Sequence, residues 1–200
     1  MELFDAIYQR RAIKAFDPEH IVSEDDEKKL FEAAIQAPTS FNIQHWRFVV
    51  VRDKALRAEM RKLGNDQAQI TDASLLVIMT ADMKAWEKNP SRYWTEAPKE
   101  VADLLVGWMG PFHDGREWLQ RDEAQRSIGM AMQTLMLSAK GIGLDSCPMI
   151  GFDIEAVAKV INLPADHVMG PMVAIGKGTK APWPKPGQLN LDEVLVNNTF

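Results

Sequence analysis

Apolar positions along the chain follow two periods, and the period assigns most of the elements. Leu3, Phe4, Ile7 and Tyr8 fall at helical spacing and predict a short helix over 3–10. Ser23, with Asp26 three residues on, has the form of a helix start. Leu30, Phe31, Ala34 and Ile35 carry that helix to about Gln36, and Pro38 stops it. "WRFVVV" (46–51) and "ASLLVIMTA" (73–81) are nearly continuous apolar runs, as expected of strands covered on both faces, with a helical stretch over 53–63 between them. Ala124, Ile128, Ala131, Leu135 and Ala139 form one stripe, widened by Met132 and Met136, that predicts a long buried helix over 117–140 ending at "GIG". A short strand near 145–148, a helix over 154–161 capped by Asp153, and a strand over 170–178 complete the series. Helices alternating with a few strands around a long central helix predict an α+β domain with a mixed central sheet flanked by helices. One domain spans 1–200.

Two stretches fall outside this pattern. Residues 82–116 scatter Trp86, Tyr93, Trp94, Trp108 and Phe112 among charges, the composition of an excursion or lid rather than of a core. Residues 180–200 are Pro-rich and then extended, yet carry Leu189, Leu191, Val194 and Val196. An apolar arm must cover something, and a second copy of the chain is the natural candidate.

Composition narrows the classes. The formal charge of −5 disfavours nucleic acid or an anionic membrane as partner, but not a small anion met by local positive charge. The one cysteine, Cys147, cannot form an internal disulfide, which fits a reducing, cytoplasmic setting. No apolar run approaches the roughly 18 residues of a membrane span, and the N-terminus lacks the apolar stretch of a signal peptide.

Three polar clusters remain. In "QRRAIKAF" (9–16), Arg10 and Lys14 lie four apart with Arg11 between, so one turn or a short strand could aim them at one phosphate. The ordinary reading of such a cluster is a solvated surface. "APTSFNIQHWRF" (37–48) crowds Thr39, Ser40, Asn42, Gln44 and His45 between a helix and a strand, more polar groups than a turn needs. Gln67 and Gln69 occupy alternate positions and could pair with the edge of a planar heterocycle; exposed loop glutamines are the commoner case. The four histidines show no metal-ligand spacing, so no metal site is expected. Cys147 reads as a buried thiol with no basic group evident nearby. Cations for a phosphate and amides for a ring, with no convincing acid, base or nucleophile, describe a chain whose cofactor carries the chemistry.

"RRAIKAFD", "APTSFNIQHWRF", "GNDQAQITDAS", "CPMIGFD" and "GKGTKAPWPKPGQLNLDEV" occur in that order, and with them nearly the whole chain resembles the FMN-dependent nitroreductase superfamily, closest to its small bacterial NAD(P)H nitroreductase and quinone-reductase branch. The resemblance implies the nitroreductase-like fold and a homodimer with exchanged tails and FMN between the subunits. It implies that Arg10, Arg11 and Lys14 hold the FMN phosphate, with Ala12 standing where relatives often have Ser. Pro38, Thr39, Ser40 and Asn42 would reach a flavin belonging mainly to the partner chain. Gln67 and Gln69 would face its pyrimidine edge, and Pro148, Met149, Ile150 and Gly151 its N5 side, with Ile150 where many relatives have Glu. Gln188 stands where Arg is common, and Lys185 could replace it on the phosphate. Phe41, Trp94, Trp108 and Phe112 would shape the acceptor pocket.

The implied activity is ping-pong passage of hydride from NAD(P)H, through FMN, to a nitroaromatic, quinone or similar acceptor. The alternatives are another flavin reaction on the same scaffold, such as reductive dehalogenation or flavin fragmentation, or a non-catalytic FMN-binding or redox-sensing protein.

Overall fold

The computed structural model describes all 200 residues. Its centre is a sheet of four strands, β1 (Trp46–Val50), β2 (Leu75–Asp82), β3 (Asp145–Met149) and β4 (His167–Gly176), in the order β1-β2-β4-β3. All three pairings are antiparallel, so the expected mixed sheet is corrected. The parallel element is an isolated bridge between Ala12 and Ser146, where the N-terminal segment runs beside β3.

Side chains alternate along β2 and explain why it reads as an unbroken apolar run. Leu75, Val77, Met79 and Ala81 enter one core cluster, while Leu76 and Ile78 enter another on the opposite face. The first face is covered by α2 (Glu24–Ala34) and α6 (Glu117–Gly141) through Leu30, Ala34, Ala124, Ile128, Ala131 and Leu135. The second is covered by α3 (Lys54–Leu63) and α7 (Ile154–Val160) through Met60 and Val157, with Ile13 and Phe16 from the N-terminal segment. The sheet is thus a middle layer, and β1, at an edge, is only half-buried beyond Trp46.

Local chemistry sets the element ends. Ser23 Oγ accepts from the Asp26 amide, Asp53 from that of Leu56 and Asp153 from that of Ala156, so three helices start on a side-chain cap. Helix α6 closes where Gly143 takes a left-handed φ of 86° and the Leu144 amide reaches back to Ala139 O at 2.9 Å. At Gly170 a Cβ would lie 2.7 Å from Ile128 Cγ2 and 2.9 Å from Met79 O, which lets α6 lie close on β4.

Of the remaining elements only α4 (Gln69–Asp72) enters a main core, through Ile70. Helix α1 (Leu3–Gln9) buries only Ala6, and α4 follows the polar turn after α3. The 82–116 excursion is a 3-10 turn, Pro90–Trp94, followed by α5 (Lys99–His113), and it has a small core of its own: Ala85, Trp86, Tyr93 and Met109 with Ile43. The tail holds one short helix, α8 (Leu191–Val194), in an otherwise irregular, wholly exposed segment.

Candidate functional site

The polar residues singled out in the sequence collect in two places. The first lies along β3. The Ile13 amide donates to Ser146 O at 3.1 Å, so the segment carrying Arg10, Arg11 and Lys14 runs beside that strand. Arg11 Nη1 donates to Tyr8 O and to Arg10 O, at 2.7 and 2.8 Å. None of the ion pairs in the structure involves Arg10, Arg11 or Lys14, so their charge is uncompensated.

Against this strand stands the turn after α3. Gln67 Nε2 donates to Gly151 O at 3.0 Å, as does Asn65 Nδ2. Gln69 Nε2 donates to Gln67 Oε1 at 3.0 Å and reaches Cys147 Sγ at 3.7 Å. Gln69 is buried rather than exposed. The expectation of no basic group near Cys147 is also corrected. Burial pushes the thiol's pKa up, and Lys14, with Gln69, opposes that shift. Burial thus disfavours the thiolate form. Asn65 was missed in the sequence; its signal was the "GND" turn, where Asn65 and Asp66 both take left-handed φ. Met149 is buried, and Ile150 and Gly151 are exposed at the strand's end.

The second place is the loop before β1, on the opposite edge of the sheet. Phe41, Asn42 and Gln44 take φ of 51°, 55° and 54°. Left-handed backbone at a bulky residue such as Phe41 stores strain of about 1–3 kcal/mol and persists only where surroundings hold it. Thr39 Oγ1 accepts from the Gln44 amide, Asn42 Nδ2 donates to Tyr93 O, and Trp94 Nε1 donates to Phe41 O. The excursion thus clamps the loop.

Phe41 then meets Phe112, ring centroids 5.2 Å apart, and both line an open recess of about 320 Å³ with Trp108, Pro111 and Arg116. Trp94 is not among the lining residues and serves as the brace. Pro38 leads into the loop, and Ser40 makes no side-chain hydrogen bond within the chain. Lys185 and Gln188, in the exposed tail, have no hydrogen-bond or ion-pair partner in the chain.

One cluster has metal-ligand geometry that the sequence spacing hid. Oxygens of Asp82 and Asp166 and a ring nitrogen of His167 lie within 4.8 Å of one another. Lys88 Nζ sits on both carboxylates, at 2.9 and 2.5 Å, and supplies the positive charge itself. That ammonium, with His167, holds the Asp166 carboxyl down to about 2. No helix is long and apolar enough to cross a membrane.

Comparison with known proteins gives the kinship of the chain and its fold. The profile of the Nitroreductase family matches residues 7–177. Protein DrgA of Synechocystis sp. is 58% identical over 98% of this chain and 95% of its own length. MhqN of Bacillus subtilis, provisionally named an NAD(P)H nitroreductase, is 31% identical over 88% of each chain. A provisionally assigned nitroreductase of Exiguobacterium sibiricum, crystallised in complex with FMN, superposes with a TM-score of 0.90 at 25% identity, over 99% of this chain and 98% of that one.

Proposed function

The chain belongs to the nitroreductase family, and from that premise we propose that it is an NAD(P)H-dependent FMN oxidoreductase acting as a homodimer. The chemistry that bound FMN supplies is hydride exchange between NAD(P)H and a nitroaromatic, quinone or similar acceptor, in the ping-pong order where the oxidised donor leaves before the acceptor enters.

The observation that carries the reading is the edge of β3. Three unpaired cations there flank a rim of amides, in which Asn65 and Gln67 donate to Gly151 O and Gln69 donates to Gln67 Oε1. Arg10, Arg11 and Lys14 suit a phosphate dianion, two by planar guanidinium forks and one as a point charge. The amides suit the alternating donors and acceptors of a flavin's pyrimidine edge. The residues therefore fit FMN. Pro148, Met149, Ile150 and the Gly151 backbone would sit beside its reactive edge.

The second half-site belongs to the same reading. β1 and β3 are the two edges of a four-stranded sheet, about 14 Å apart at the usual strand spacing. Within one chain, Pro38–Asn42 and the β3 corner thus lie on opposite sides. A partner copy would bring its loop, with Ser40 and Asn42, and its recess of Phe41, Trp108 and Phe112, over the first chain's flavin. The recess would stack a planar acceptor and exclude water. Lys185 or Gln188 of the tail would add a contact to the phosphate.

An absorption spectrum of the purified protein, taken before and after anaerobic NADH and NADPH, tests the proposal. Flavin bands that bleach support it. A protein that stays colourless after FMN reconstitution overturns it.

A further inference from the structure

The amide rim stands on the turn after α3, where the backbone is costly. Asn65 and Asp66 take φ of 55° and 53° in succession, a region that asparagine and aspartate enter more readily than most residues but do not prefer. Both are exposed, so core packing does not hold them. Even so, Asn65 Nδ2 and Gln67 Nε2 each donate to Gly151 O at 3.0 Å. A carbonyl oxygen only accepts, so this convergence fixes which end of each amide faces the strand. Gln67 Nε2 also donates to Gly64 O at 3.0 Å, which uses both of its hydrogens. Asn65 makes no other side-chain bond and keeps an N–H and its Oδ1 for a ligand.

One side chain spans this turn. Arg61, in the last turn of α3, donates from Nε to Asp66 Oδ1 at 2.7 Å and from Nη1 to Thr71 Oγ1 at 3.0 Å. The same Nη1 lies 4.0 Å from Asp72 Oδ1. The Arg61 carbonyl accepts from the amides of Gly64 and Asp66, at 3.2 and 3.0 Å. Gln67 and Gln69 lie in the chain between the two side-chain anchors, and Asn65 adjoins the first. The other side of the contact is fixed separately, since the Asp153 amide donates to Leu63 O at 2.9 Å and holds the chain after Gly151 against the end of α3.

We propose that Arg61 is the positioning residue of the amide rim: its fork clamps Asp66 to Thr71, holds the 64–72 segment in its strained form, and so aims Asn65 and Gln67 at the flavin without touching it. The inference rests on the FMN reading above. The Asp66 side chain is 83% exposed, so charge attraction alone contributes little. Direction is what Arg61 adds. Nε and Nη1 are two donors in one rigid plane, whereas lysine offers a single mobile point charge.

The test uses the full-length protein. In the apoprotein, the side-chain amide signals of Asn65 and Gln67 in a heteronuclear NMR spectrum should stand apart from those of free amides. In Arg61→Met both should move to the free-amide positions, and Arg61→Lys, which keeps the charge but not the fork, should do the same. Signals unchanged in Arg61→Met, or restored by the lysine, overturn the proposal. FMN affinity, read by fluorescence titration, should fall at least about 10-fold in Arg61→Met, but by less than about 2-fold when the same change is added to Asn65→Ala with Gln67→Ala, where the rim is already gone. Equal losses in both backgrounds would make Arg61 a general support of the fold and overturn its positioning role. Should Arg61→Met fail to fold, Thr71→Val removes one anchor and is read in the same way. A protein that binds no FMN ends the oxidoreductase reading, while the amide signals still decide whether Arg61 sets the rim.

Discussion

Arg10, Arg11 and Lys14 hold positive charge that no carboxylate neutralises, on a chain whose formal charge is −5. Such charge is maintained most readily where a ligand anion completes it. Charge-assisted hydrogen bonds contribute about 1.5–3 kcal/mol each, so Arg10→Ala combined with Lys14→Ala should weaken FMN binding at least about 10-fold. The fold should survive, as all three side chains lie outside the buried set. Fluorescence titration with FMN and a thermal melt of the apoprotein check both parts.

His45 presents the opposite case, a titratable group with no access to water. Its pKa falls from 6.5 to about 4, mainly through burial, with His113 and Arg47 adding to the shift and Asp82 opposing it. The unfolded chain therefore takes up this proton first, at its ordinary pKa. The stabilising contribution is complete above about pH 6.5 and is lost as pH falls toward about 4, amounting to about 3 kcal/mol at most. Urea unfolding across that window should show the decline, and His45→Asn should reduce its slope.

Helix α6 illustrates how an element is fixed by both its own pattern and its neighbour's. Its stripe of Ala124, Ile128, Ala131, Leu135 and Ala139 was plain in the sequence, and every member is buried. Where it lies was not plain, because the close approach depends on Gly170 of β4. Gly170→Ala should therefore destabilise the protein by about 1–3 kcal/mol, the usual range for overpacking, since one of the clashing atoms is backbone and cannot swing away. A lowered denaturant midpoint with unchanged FMN stoichiometry is the expected result.

The 82–116 excursion was legible only as an interruption. Its helix α5 packs against the loop before β1 through Met109 and Ile43 rather than against the main sheet, and that small separate core explains why its aromatic residues showed no clear period.

For the whole molecule, the apolar surface is lopsided. Leu3, Phe4, Ile7 and Tyr8 of α1 are exposed, as are Leu189, Leu191, Val194 and Val196 of the tail, with Trp183 at 84%. Faces of this kind are stable in water when a second copy covers them. For the proposed dimer, removing residues 181–200 should shift the sedimenting species to monomer and release FMN with it. A truncated protein that remains a flavin-bound dimer would show that the tail is not the clasp.

The sequence by itself determined the local elements, because hydrophobic period, caps and breakers act within a few residues. It also supplied the candidates for the proposed site, since cations, amides and aromatics announce their chemistry by type. Strand order and the antiparallel pairing were decided only in three dimensions, where long-range hydrogen bonds select among sheets that share one pattern. The meeting of Gln67 with Gly151, of Gln69 with Cys147 and of His45 with Ser127 was decided there too. Each joins residues far apart in the chain, and no local periodicity records which distant polar groups the packing of the core will bring within a bond's length.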